Sequence, residues 1–171
     1  MPNLWLRAVD YGIIGFAEKY GLWLLRLALG IIFIWFGALK VLGISPAAEL
    51  VASVLTFVPA HTAVLSLGIL EIAIGVGLIT GLAARLTLLL FALQMAGTFV
   101  VLVLKPELSF QQGNPFALTM TGEFVVKNLV LLTAGFAVAA QIPKTRPGEG
   151  LFGMLRRNQP LIRPPRAHRH R

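Results

Sequence analysis

Few side chains in this sequence are able to do chemistry, and those few sit among apolar residues. Lys40, Glu71, Arg85, Gln94, Glu123 and Lys127 lie inside or at the ends of long apolar stretches between Leu22 and Ala140. An ionisable group in hydrocarbon is costly, so it usually faces the interior of a helix bundle and serves a purpose there. Glu71 is nine residues into its stretch, about 13 Å along a helix axis at about 1.5 Å per residue. That is too deep to snorkel to the headgroups, and Gln94 is comparably central. Lys40 closes the first stretch, and His61 stands at the mouth of the second. Glu123 and Lys127 are four residues apart, so on a helix they share a face and can pair, with Asn128 beside them. A buried Lys–Glu pair with amide partners is the low-cost way to place such groups in hydrocarbon. Lys40, Glu71, Gln94, Glu123, Lys127 and Asn128 are therefore the candidate buried polar site. It has two readings. One is an interhelical clamp that fixes packing; the other is a seat for a small polar headgroup, such as a quinone ring, or a proton relay.

The composition sets the solvent. Of the 171 residues, 57% are hydrophobic and 13% charged, with a mean hydropathy of +0.80, against roughly 25% charged in soluble domains. A bilayer span needs about 20 apolar residues, and the sequence holds four such runs, at about 22–42, 62–80, 82–104 and 123–141. The expected fold class is all-α: a polytopic membrane protein whose four-transmembrane-helix bundle fills 22–141. Residues 1–21 are expected to form an amphipathic interfacial helix, with Leu6, Val9, Ile13, Phe16 and Tyr20 on one stripe. Trp5, Tyr11, Tyr20 and Trp23 suit the headgroup level. A plain extension of the first span is the alternative. No cleavable signal peptide is expected, because Asp10 and Glu18 interrupt this region.

The net charge of +8 is concentrated in the tail at 142–171, where eight basic residues face one acid, Glu149. This makes the tail a basic, mostly irregular extension carrying five of the ten prolines. It argues against a nucleic-acid-binding face on the fold itself. Arg156 and Arg157 in the tail, with Arg26 and Arg85 near span ends, read as lipid or partner contacts. The sequence has no cysteine, which excludes disulfides, thiol redox chemistry and iron–sulfur ligation. No metal constellation is visible either. His168 and His170 belong to the Arg-rich end, and His61 is the remaining histidine. For a stand-alone enzyme the inventory is poor.

The connections are uneven. Gly81 alone separates spans two and three, which implies a tight hairpin. The connection Gly43–His61 contains Pro46 and Pro59 around an apolar middle suited to a short surface helix, with Ser45 as a candidate N-cap. The polar, turn-rich segment Lys105–Gly122 is long enough to cap one end of the bundle. Gly30 and Gly37 share a face on the first span, and Gly68 and Gly75 share one on the second, as close helix packing requires. Lysine and arginine place both termini, with Arg7, Lys19, Arg26, Arg85 and the basic tail, in the cytoplasm.

The ordered motifs resemble a known family. Arg26-Leu-Ala-Leu-Gly30, then Phe33, Trp35-Phe-Gly37 and Lys40 are followed by Leu70-Glu71-Ile-Ala-Ile-Gly75-Val-Gly77-Leu78 and by Gly122-Glu123-Phe124-Val-Val-Lys127-Asn128-Leu129. This set, spanning about 22–140, is similar to the DoxX-like family of small four-helix bacterial membrane proteins. The resemblance implies a bundle in the bacterial cytoplasmic (inner) membrane. It also implies an association with quinone-linked oxidoreductase complexes and with oxidative-stress resistance. The function expected from residues and resemblance together is that of a non-catalytic accessory subunit of a quinone-linked redox or respiratory complex. Its partners would be membrane lipids and other membrane or peripheral subunits, and quinone its possible cofactor. The alternatives are an assembly protein that docks a partner through its tail, and a small transporter.

Overall fold

The computed structural model describes residues 4–142, with side chains described from residue 9. The described residues form six α-helices: α1 (Leu4–Val41), α2 (Ala48–Val54), α3 (Ala60–Thr80), α4 (Ala84–Leu104), α5 (Pro106–Ser109) and α6 (Met120–Ala139). Four of them, with windows at Val9–Val41, Ala60–Thr80, Ala84–Leu104 and Met120–Ala139, are long and apolar enough to cross a membrane. Between 22 and 44% of each window is buried inside the protein. The remainder, including Ile31, Trp35, Leu93 and Val103, is exposed apolar surface whose natural solvent is lipid. The chain is an all-α polytopic membrane protein. The tail expected to be irregular, with Arg156, Arg157, His168 and His170, lies outside the described residues.

α1 differs from expectation. It runs through Gly21 without interruption, so 4–41 is one rod and not an interfacial helix followed by a separate span. No proline falls between Pro2 and Pro46, and glycines at 12, 15 and 21 weaken a helix without removing its hydrogen bonds. Its 33-residue apolar window is about 50 Å long, against about 30 Å of hydrocarbon, so α1 must project beyond the core. It stops at a Schellman turn. Gly43 adopts φ +73°, its N–H donates to the Lys40 carbonyl at 3.2 Å, and the Ile44 N–H donates to the Leu39 carbonyl at 3.0 Å.

The antiparallel pair α1–α3 is the spine of the bundle. Its contact is made by the four glycines named above. A Cβ on Gly37 would stand 2.6 Å from the Gly68 carbonyl oxygen, and one on Gly75 would stand 2.6 Å from the Gly30 carbonyl oxygen. The two glycine faces meet backbone to backbone, one heptad apart, as small-residue membrane interfaces do. α3 then reverses at Gly81, Leu82 and Ala83. Gly81 (φ +75°) and Ala83 (φ +43°) are both left-handed. Thr80 Oγ1 donates to the Val76 carbonyl at 2.8 Å and accepts from the Leu82 N–H at 3.3 Å, and Thr87 Oγ1 donates to the Leu82 carbonyl at 3.0 Å. Three residues, rather than Gly81 alone, make this turn.

α4 and α6 close the bundle over a core of Leu29, Phe33, Ile74, Leu78, Phe91, Met95 and Val138. Phe33 and Phe91 pack with ring centroids 5.1 Å apart, and Gly135 of α6 receives the edge of the Phe91 ring. At the opposite end from the Gly81 turn, α5 and a single 3₁₀ turn at Gln111–Gly113 form the expected cap. Thr119 caps α6 by accepting from the Gly122 N–H at 3.1 Å. α2 lies at the same end. Ser45 does not cap it: its Oγ accepts from the Ala47 N–H at 3.3 Å in a local turn, and Ala47 holds the N-cap position.

Candidate functional site

Lys40 is on the α1 face that meets α3. Its stem passes over Gly68, where a Cβ would come within 2.8 Å of the Lys40 Cβ. A side chain at 68 would block that path. With glycine there, the ammonium reaches down α3 to Glu71, one turn deeper. Lys40 Nζ donates to both carboxylate oxygens of Glu71, at 2.9 Å and 2.7 Å. Gln94 Nε2, from α4, donates to Glu71 Oε1 at 3.1 Å. Lys40 and Glu71 are both buried. Three helices thus converge on one carboxylate, and the formal charges within the network cancel.

This network forms the polar end of a cavity of about 260 Å³. α1 contributes Phe33, Phe36 and Leu39, α4 contributes Met95, Thr98 and Val101, and α6 contributes Phe124, Asn128 and Leu131. α2 and the turn before it form the fourth wall, with Pro46, Leu50, Val51 and Val54 facing the space. None of the α2 residues is buried. Phe36 and Phe124 meet edge to face across the cavity, 6.4 Å between centroids. Asn128 is 8% exposed and opens onto the same space. The result is an apolar sleeve that ends on a closed ion pair and two amides.

The structure brings together Lys40, Glu71, Gln94 and Asn128 of the six expected site residues and turns two away. Glu123 and Lys127 do pair, with Lys127 Nζ donating to Glu123 Oε2 at 2.9 Å, but their side chains are 54% and 74% exposed on the outside of the bundle. The cause is helical phase. At this end of α6 the buried stripe is Gly122, Val125 and Asn128, and Lys127 lies about 100° from Asn128 and about 160° from Val125. Gly122 and Asn128, one small and one polar, are the signal available for that phase. Because the outer pair is exposed, Lys127→Gln is expected to change stability by less than about 1 kcal/mol. Unfolding in detergent micelles measures this, and a larger loss would show that the pair holds the fold.

The cations at the Gly81 end also divide. Arg26 is 4% exposed and packs inside the bundle rather than against lipid, with its guanidinium donating to the Ile79 carbonyl at 3.4 Å. It shares the α1 face of Gly30 and Gly37, which explains its burial. It also meets the carbonyl-rich C-terminus of α3, where a positive charge is favourable. Arg85 is half-buried in the first turn of α4. The exposed His61 lies in the first turn of α3, away from the cavity lining.

Residues 21–104 match the DoxX family model. This is a DoxX domain. The match covers the spanning half of α1 together with α2, α3 and α4. Within the DoxX match fall Lys40, Glu71, Gln94 and the α2 wall of the cavity, while Asn128 and the rest of α6 lie beyond it. No curated protein and no solved structure matches the chain.

Proposed function

We propose that this DoxX chain is an accessory integral-membrane subunit of a quinone-linked redox complex, and that its cavity holds the quinone head. The observation that carries the reading is the cavity itself. It is apolar along its length and polar at one end, and it lies among the four spans at the level of a buried Lys–Glu pair. A prenylated ring with carbonyl oxygens matches that division. Phe33, Phe36, Met95 and Leu131 would hold the ring and chain, while Gln94 and Asn128 would face the ring oxygens. A bound quinone supplies two-electron, two-proton redox chemistry. The chain's own residues bind the head, orient it and exclude water from it. The described residues offer no cluster of three His, Cys, Asp or Glu side chains. The reading therefore assigns the redox centre to a partner subunit.

The proposed setting is the bacterial cytoplasmic membrane, with both termini cytoplasmic because the basic tail and the Arg26–Arg85 end share a side. The cavity end, with α2 and α5, then faces outward. The test is gentle purification from native membrane, followed by mass spectrometry of bound proteins and lipid-soluble molecules. A quinone retained together with haem- or flavin-bearing subunits is the expected result. In the paired variant Lys40→Met with Glu71→Leu, which leaves no buried charge unpaired, the bundle should persist while quinone retention falls at least tenfold. Recovery of a lone bundle with phospholipid only would remove the redox reading.

A further inference from the structure

Asn128 is the polar group of the cavity with nothing attached to it. Its residue is more than nine-tenths buried and lines the space, and its amide makes no hydrogen bond with any described residue. No buried side-chain nitrogen or oxygen among the described residues is left unsatisfied, so the amide's polar atoms are open to the cavity and free to meet what occupies it. The neighbouring carboxylate does not engage it. Glu71 is occupied by Lys40 at 2.7 and 2.9 Å and by Gln94 at 3.1 Å. A primary amide supplies two donors and an acceptor oxygen, so it is able to bond a carbonyl or hydroxyl oxygen on an occupant of the cavity.

The charge of that partner follows from the same geometry. Lys40 and Glu71 are the ionisable residues lining the cavity, and each neutralises the other. The remaining described charges nearest on α6, Glu123 and Lys127, are paired with each other and exposed outside. A ligand bringing a formal charge would enter a low-dielectric space with no counterion left to meet it. A ligand with a neutral carbonyl or hydroxyl would satisfy Asn128 at no such penalty.

We infer that Asn128 is the direct contact for the polar head of the cavity's ligand, and that this head is uncharged. The ligand class is an amphiphile with a neutral carbonyl- or hydroxyl-bearing head on an apolar body. Fatty-acid anions, phosphate-headed lipids and cationic amphiphiles are excluded. The inference deepens the quinone reading but does not depend on it, since a neutral glycerolipid has the same chemistry.

The experiment is equilibrium binding to the full chain in lipid nanodiscs with four probes: a decyl-substituted benzoquinone, dioctanoylglycerol, decanoate and decylammonium. The expected result is that at least one neutral probe binds at least tenfold more tightly than both charged ones. Asn128→Leu should weaken that neutral probe about tenfold or more, while Lys127→Gln leaves it unchanged. Where Asn128→Leu fails to fold, Asn128→Ala serves the same comparison. Binding of dioctanoylglycerol but not the quinone, with the Asn128 dependence intact, upholds the inference and overturns the quinone reading. Equal binding of decanoate, equal binding to the Asn128 variants, or no binding of any neutral probe overturns the inference.

Discussion

Replacing Lys40 alone by Met is expected to cost about 3–5 kcal/mol of bundle stability, because it strands the Glu71 carboxylate without its partner inside the protein. Glu71→Leu alone should cost a similar amount by stranding the ammonium. Replacing both at once, as Lys40→Met with Glu71→Leu, should recover most of the loss. Buried ion pairs exchanged for apolar residues of similar volume are often neutral or stabilising, since two desolvation penalties vanish together. Gln94 would then lose its acceptor, so the recovery should fall short by roughly one hydrogen bond, about 1 kcal/mol. Denaturant titration of the purified protein in detergent reads all three variants. The double variant also separates the two uses of the ion pair. If it is stable and no longer retains ligand, the pair belongs to a binding site. If it is stable and retains ligand as before, Lys40 and Glu71 are a packing clamp.

A valine at Gly37 or Gly68 should be at least as damaging. A Cβ at 37 would face the Gly68 carbonyl oxygen at 2.6 Å, and one at 68 would face the Gly37 carbonyl oxygen at 2.8 Å and the Lys40 Cβ at 2.8 Å. The obstacle is mostly backbone of the facing helix, so no rotamer change relieves it, and α1 and α3 must separate. Overpacking usually costs about 1–3 kcal/mol, and a clash repeated along the spine should reach or exceed the top of that range. At 68 the same substitution also displaces Lys40 from Glu71. Gly12→Ala and Gly15→Ala are the controls. Nothing lies within 4 Å of either added Cβ, so each should be neutral or add up to about 1 kcal/mol through helix propensity. Thermal unfolding midpoints that fall equally for Gly37→Val and Gly12→Ala would contradict the packing described for α1 and α3.

The spans were legible in the sequence because hydrocarbon demands about 20 apolar residues in a row, and no turn chemistry competes with that. The meeting of Glu71 and Gln94 was legible from depth, since both are central on adjacent antiparallel helices; Lys40 and Lys127 are both expected to approach from the outer side, and only Lys40 does. The glycine faces at 30/37 and 68/75 were legible as well: a seven-residue repeat keeps one face. Rotation about the helix axis was harder to read. Hydropathy sets where a span begins and ends, but a helix that is apolar all round carries little record of which side faces lipid. That is why the sequence alone puts Lys127 inside and Arg26 against lipid, and the structure reverses both. The continuity of α1 across Gly21 was obscured by its polar residues, which mimic the composition of an interfacial segment. The role of α2 as a wall depends on contacts made by Leu50, Val51 and Val54 across the cavity, and no local pattern announces those.

Photolabelling tests the cavity most directly. An azido-benzoquinone with a decyl tail would be cross-linked to the protein in native-like membranes, with labelled residues mapped by peptide mass spectrometry in the presence and absence of excess unlabelled quinone. The expected label falls on cavity residues such as Phe36, Val51, Thr98 and Leu131, disappears with competitor, and is lost in Asn128→Leu. Label confined to lipid-facing residues such as Trp35 and Leu93, undiminished by competitor, would contradict the assignment of a quinone to this cavity.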